Sequence, residues 1–116
     1  MLRTALDAGA CLVLTTGGTG ITPRDLTPEG TREVLDYEVP GVADAVRQRG
    51  VAAGIPTAVL SRGLVGVARG SGGTRALVVN LPGSSGGVRD GLDVVLALWS
   101  HVRSQLEGGD HPAPAA

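Results

Sequence analysis

Two stretches of this chain run from an apolar strand straight into a glycine-rich loop and on toward a helix. The first is Leu12-Val13-Leu14-Thr15-Thr16 followed by Gly17-Gly18-Thr19-Gly20. The second is Leu77-Val78-Val79-Asn80-Leu81 followed by Pro82-Gly83-Ser84-Ser85-Gly86-Gly87. A short apolar run bounded by glycine reads as a strand buried on both faces, as in parallel sheets covered by helices. Glycine loops expose backbone N–H groups and admit another molecule with no Cβ in the way, so they suit anions and phosphates. Two such units in one short chain predict an α/β fold with one phosphate-bearing ligand held between them.

Composition narrows the partners. The 116 residues allow one domain at most, and an apolar share of 42% with 18% charged residues supports a core. One Trp, one Tyr and no Phe leave no stacking platform for single-stranded nucleic acid. A net charge of −1 gives no basic footprint for a duplex. All ten basic residues are Arg, so Schiff-base chemistry and a Walker-A lysine are excluded. The single Cys11 cannot form an intrachain disulfide, which fits a reducing cytoplasm. No apolar run reaches the length of a membrane span, and the start lacks a signal-peptide pattern.

The spacing of apolar residues and turn formers predicts the following order. A helical stub covers Met1 to Ala8 and stops at Gly9. A strand at Leu12 to Thr16 follows, then a helix opened by Thr27-Pro28-Glu29, with Thr27 as its cap, reaching about Glu38. A second helix runs from about Val42 to Arg49 and ends at Gly50. Thr57 to Ser61, Leu64 to Arg69 and Ala76 to Leu81 read as strands, the last two joined by a hairpin through Gly70–Thr74. The final helix extends from near Ser85 to Leu106, with Val88, Leu92, Val95, Trp99, Val102 and Leu106 on one apolar face. The tail from Gly108 is expected to be disordered.

Each loop admits competing readings. Around the first, the hydroxyls of Thr15, Thr16 and Thr19 could cradle a phosphate and Arg24 could neutralise it. Asp25 would repel a phosphate unless Mg²⁺ stood between them; otherwise it caps the turn before the next helix. Pro23 stands where a G-x-G-x-x-G pattern needs its last glycine, and no G-K-[ST] follows, so neither a Rossmann site nor a P-loop is supported. Gly83-Ser84-Ser85-Gly86-Gly87 matches G-x-S-x-G, which raises a serine hydrolase using Ser85, Asp90 or Asp93, and His101. Both partners lie on the helix that begins at the loop, which argues against a triad. Ser61-Arg62-Gly63 is a third polar corner that could reach the same ligand, or a plain turn.

The run from Leu14 to Glu29, Thr15-Thr16-Gly17-Gly18-Thr19-Gly20-Ile21-Thr22-Pro23-Arg24-Asp25-Leu26-Thr27-Pro28 at its centre, resembles the signature of MogA/MoaB-type molybdopterin adenylyltransferases and gephyrin-like domains. Glu38-Val39-Pro40-Gly41, Leu60-Ser61-Arg62 and Asn80-Leu81-Pro82-Gly83-Ser84 agree with that family in order and approximate spacing. The resemblance covers about residues 2 to 107. It implies a three-layer α/β/α fold with a mostly parallel sheet plus a β-hairpin, and a homotrimer or hexamer. It also implies adenylylation of molybdopterin by Mg-ATP with release of pyrophosphate, and a partner protein that inserts molybdenum. By the same resemblance, Thr16, Gly17, Gly18, Thr19, Gly20, Ser61, Pro82, Gly83 and Ser84 line the substrate pocket. Asp25 matches a catalytic carboxylate acting through Mg²⁺.

Against that family pattern, the chain lacks the first strands, a Ser-Asp-Arg-type loop and a Pro-Asp-Asp-type element that carries a second essential carboxylate. The expectations are an N-terminally incomplete domain over residues 1–107 and apolar surface bared at the edge and face around Leu12–Thr16. Weak or absent turnover follows from the missing carboxylate. The alternative is a non-catalytic MoaB-like subunit that binds molybdopterin or serves in assembly.

Overall fold

The computed structural model describes residues 1–108 of the chain. The expected disordered tail, Gly108 apart, lies outside the described residues. Among the described residues nine elements follow one another: α1 (Leu2–Asp7), β1 (Leu12–Thr16), α2 (Thr27–Arg32), β2 (Tyr37–Glu38), α3 (Pro40–Ala52), a 3-10 helix (Pro56–Leu60), β3 (Val65–Arg69), β4 (Arg75–Leu81) and α4 (Ser85–Leu106).

The strands form one sheet in the order β1-β4-β3-β2. β1 and β4 are parallel, with Leu12 opposite Leu77 and Thr16 opposite Leu81. The hairpin β3–β4 and the short pairing of β2 with β3 are antiparallel. Alternation along the strands sends residues to two different cores. Leu77, Val79 and Leu81 of β4 join Val65 and Val67 of β3 and pack under α3 and α4 through Ala43, Val95 and Leu106. Ala76, Val78, Ala68 and Val13 face the other way, against Leu6 of α1 and Val34 and Leu35 beyond α2. The result is the three-layer α/β/α arrangement that the resemblance implies, but the sheet described is mixed rather than mostly parallel: only β1–β4 pairs in parallel, because the β3–β4 hairpin and β2 add antiparallel partners.

Small residues set the spacing of the second layer. A Cβ on Gly66 would stand 2.7 Å from Leu35 Cδ1, so the β3 backbone lies directly under that side chain. β1 is an edge strand, and of the apolar surface expected there Leu14 is 37% exposed whereas Val13 is buried.

Four local expectations are corrected. The helix after Thr27 stops at Arg32, and Tyr37–Glu38 becomes a strand because the sheet offers it partners. Asp36 N donates to Val67 O at 2.8 Å and Val39 N to Val65 O at 2.7 Å. Tertiary hydrogen bonds here override helix propensity. Thr27 is not the cap: its hydroxyl donates to Gly17 O at 3.0 Å, which ties helix to loop. Gly50 does not end α3; the helix runs on to Ala52, and the missing Cβ makes room for Ala58. Of Thr57–Ser61, read as a strand, all but Ser61 lies in the 3-10 helix instead. Pro56 opens that turn, and Ala58 packs on α3 rather than pairing at a sheet edge.

Candidate functional site

Parallel pairing of β1 with β4 brings both glycine loops to the same end of the sheet, where ligands of α/β sheets bind. Gly17 N donates to Leu81 O at 3.0 Å, and a Cβ on Gly83 would meet the Cα of Gly17 at 3.3 Å. The loops therefore touch, and a Cβ on Gly83 would press the Gly17 backbone out of place by a few tenths of an ångström. Gly17 and Gly18 have φ of 81° and 69°, and a side chain on Gly18 would also run into the Thr27 hydroxyl.

No intramolecular hydrogen bond among the described residues uses the N–H groups of Gly18, Thr19 and Gly20, nor those of Gly83, Ser84, Ser85 and Gly86. The two loops thus carry adjacent sets of free donors. The second set lies at the start of the 22-residue helix α4, whose dipole adds positive potential there. Ser84 caps that helix by accepting from Gly87 N at 3.0 Å.

A cavity of about 290 Å³ opens between these loops, α3 and the 3-10 helix. Thr19, Gly20, Ser61, Pro82, Gly83 and Ser84 line it, joined by Val46, Arg47, Ile55, Ala58, Leu60 and Asp90. Thr16, Gly17, Gly18 and Asp25 lie on the same loop system without lining that cavity. Thr15 turns away from it, its hydroxyl accepting from Asn80 Nδ2 in the interior. Ser61 is held from α3, where Arg47 donates to the carbonyls of Ser61 and Gly63 at 3.3 and 3.2 Å.

Arg62 does not face the cleft as an anion-binding group. Its backbone N–H donates to Thr19 O at 2.7 Å, its Nε to Gly20 O at 2.8 Å and its guanidinium to Asp25 O at 2.7 Å. Two further bonds reach the Glu29 carboxylate at 2.6 and 3.2 Å. Arg62 thereby clasps the first loop to α2. Pairing with Glu29 raises the Arg62 pKa and lowers that of Glu29. Nothing in the local run Ser61-Arg62-Gly63 signals this role, because the bonding partners are all distant in the chain.

Asp25 Oδ2 accepts from both the hydroxyl and the N–H of Thr22 at 2.9 Å each. Those two bonds are the main reason its pKa is lowered, with weaker help from the charges of Arg62 and Arg24. The Asp25 side chain also lies against the open face of Gly20, where a Cβ would come within 2.8 Å of Oδ2. Its other carboxylate oxygen has no partner among the described residues. An ionised carboxylate with one open oxygen is the ligand Mg²⁺ ordinarily takes beside substrate phosphates, so the donor chemistry fits that ion. No group of three or more His, Cys, Asp or Glu among the described residues gathers as a metal cage.

The hydrolase alternative fails on geometry. Ser85 and His101 belong to one helix and stand about 24 Å apart along its axis. Asp93 pairs with Arg49 at 3.3 Å. A second residue that carries the site is Asn80, buried at 3% exposure. Its Oδ1 accepts from Leu64 N at 3.0 Å, and its Nδ2 donates to the hydroxyls of Thr15 and Thr31 at 2.9 Å each. One amide thus links β1, α2 and the entry to β3 beneath the loops.

Residues 1–101 match the family described as "Probable molybdopterin binding domain". The chain is 52% identical to the molybdopterin biosynthesis Mog protein of Mycobacterium ulcerans, with a TM-score of 0.84 over 92% of this chain and 66% of that one. It is 33% identical to the tungsten cofactor synthesizing protein MoaB of Pyrococcus furiosus, with a TM-score of 0.79 over 90% of this chain and 64% of that one. Among curated proteins, it is 45% identical to the molybdopterin adenylyltransferase of Escherichia coli K12 over 91 residues, 78% of this chain and 44% of the relative. It is 39% identical to a molybdenum cofactor biosynthesis bifunctional protein of Synechococcus elongatus over 95% of this chain and 33% of the relative. The chain therefore spans between a third and a half of those two curated relatives. No helix among the described residues is long and apolar enough to cross a membrane. The match over residues 1–101, together with the shared fold and the paired glycine loops, makes the chain a member of the molybdopterin-binding domain family of molybdenum-cofactor biosynthesis.

Proposed function

We propose that this chain binds molybdopterin and Mg-ATP in the cleft between its glycine loops and transfers the adenylyl group to molybdopterin. The observation that carries this reading is the register of β1 on β4, which brings two loops with unpartnered N–H donors side by side near the Ser61 corner. In the reaction, an oxygen of the molybdopterin phosphate forms a bond to the α-phosphorus of ATP. The bond from that phosphorus to the β-phosphate oxygen breaks, and pyrophosphate leaves. Such a step gathers several negative charges, so positioning and preorganised donors lower its barrier.

The chain's own groups divide that work. Gly18–Gly20 and Gly83–Gly86 offer N–H donors to phosphate oxygens, with Ser61, Pro82 and Ser84 shaping the walls and Thr16 and Gly17 carrying the first loop out of β1. Arg62 fixes the first loop, so the donors do not have to be ordered at the moment of reaction. Asp25 would hold Mg²⁺, which when bound supplies charge neutralisation at the phosphates. The proposed setting is a cytoplasmic homotrimer or hexamer that hands its product to a molybdenum-inserting partner.

A second reading, a non-catalytic molybdopterin-binding subunit, is favoured by one detail: no group of three or more His, Cys, Asp or Glu gathers with Asp25 among the described residues to share the charge of a cation. Incubating the purified chain with molybdopterin, ATP and Mg²⁺ and separating products by chromatography decides between them. Adenylylated molybdopterin with matching pyrophosphate supports the first reading. Tight molybdopterin binding without product supports the second, and absence of both refutes each.

A further inference from the structure

One group in the cavity has no task in the chemistry above. Asp90 lies on the inner side of α4, half-buried, and its carboxylate makes neither a hydrogen bond nor an ion pair among the described residues. The arginines of α3 that could neutralise it are committed elsewhere. Arg47 is bonded to Asp44 at 2.6 Å and to the carbonyls of Ser61 and Gly63, and Arg49 is paired with Asp93. Val46, Ile55, Ala58 and Leu60 give the cavity that Asp90 lines an aliphatic share of its wall. Neither Trp99 nor Tyr37 lines the cavity, so a ring bound there gains no aromatic stacking and depends on its polar edge for orientation.

We propose that Asp90 recognises the 2-amino-4-oxopyrimidine edge of a pterin ring lying in this aliphatic slot. The assignment rests on the reading that the cleft takes molybdopterin. Asp90 stands about 9 Å along α4 from Ser84 at the helical rise, so the free N–H donors of the second loop and this unpaired carboxylate are more than one helical turn apart on the cavity wall. A ligand that satisfies both has a phosphate at one end and ring donors at the other. A pterin displays N3–H and the 2-amino group side by side, and this pair meets the two oxygens of a carboxylate as a guanidinium does. Adenine offers a single amino group flanked by ring acceptors, which a carboxylate would repel. Guanine shares the pterin's donor pair, and the test separates the two.

The purified chain and its Asp90→Asn variant are titrated with neopterin, with the lumazine that carries a carbonyl in place of the 2-amino group, with ATP and with GTP, following ligand fluorescence or heat. The wild type is expected to bind neopterin about tenfold or more tightly than the lumazine, because the extra carbonyl would face the carboxylate. Asn presents one donor and one acceptor, so the variant should reduce that preference to about twofold or less. Its unfolding temperature should not change, since Asp90 holds no structural bond. Retention of the full preference by Asp90→Asn overturns the assignment while leaving the molybdopterin reading intact. Loss of ATP binding with an undiminished pterin preference, or tighter binding of GTP than neopterin by the wild type, also overturns it. Failure of the wild type to bind any pterin removes both the assignment and the reading beneath it.

Discussion

Replacing Asn80 should show how much of this site rests on one buried amide. In Asn80→Ala, Leu64 N–H loses its acceptor inside the protein, at roughly 1–3 kcal/mol. The hydroxyl oxygens of Thr15 and Thr31 each lose a donor, at roughly 0.5–1.5 kcal/mol apiece. The sum is about 2–6 kcal/mol, a large part of the roughly 5–15 kcal/mol that holds a domain together. Urea unfolding followed by Trp99 fluorescence would measure it, and the melting temperature should fall by roughly 15 °C. Asn80→Asp adds a signature that simple loss of packing cannot produce. The Thr31 hydroxyl proton is committed to Thr27 O at 2.7 Å, so its oxygen can only accept. The ionised carboxylate introduced by Asn80→Asp would face that lone pair, whereas the protonated acid could donate to it. Its folded-state pKa is therefore raised above the unfolded value of about 3.9. The variant should sit nearest to wild-type stability below about pH 4 and lose ground as pH rises above the unfolded value toward the folded one, beyond which the deficit is constant. An Asn80→Ala cost under about 1 kcal/mol, or an Asn80→Asp deficit that does not change between about pH 4 and 7, would refute the argument.

Other perturbations test the loops themselves. Gly20→Ala should drive Asp25 from its place, since the new Cβ would lie 2.8 Å from Oδ2. Product formation is expected to fall about a hundredfold in the adenylylation assay, with little change in denaturation midpoint. Arg62→Ala should release the first loop, seen as faster amide exchange at Thr22 and Asp25, whose local bonds it buttresses. Arg62 also shapes the acid limb of stability. The lowered pKa values of Glu29 and Asp25 contribute stability above their ordinary values of 4.5 and 3.8, and that contribution fades as pH falls through the lowered folded values. Arg62→Ala should flatten this loss mainly through Glu29, because Asp25 is depressed chiefly by Thr22. Gly50→Ala sets a helix gain of about 1 kcal/mol against a Cβ placed 2.6 Å from Ala58 Cβ. The packing conflict should win, with net destabilisation of about 1 kcal/mol in urea unfolding.

Local sequence was enough to establish the α/β class, the two strand–glycine–helix units, the hairpin and the long amphipathic α4. Those features depend on periodicity and on glycine's backbone freedom, both of which are written in neighbouring residues. The loops that line the cleft were legible for the same reason. Pairing of Tyr37–Glu38 as a strand and coiling of Thr57–Leu60 into a 3-10 helix were not, because each depends on which neighbour is in reach once the chain has folded. The residues that set the site were hidden in the same way. Arg62 is a clasp and Asn80 a buried junction because of partners that only the folded chain brings together, and Asp90 is left unpaired in the cavity because Arg47 and Arg49 are bonded elsewhere. A residue's type fixes what it can bond to, while the fold fixes which of those bonds are filled inside and which are left open for a ligand.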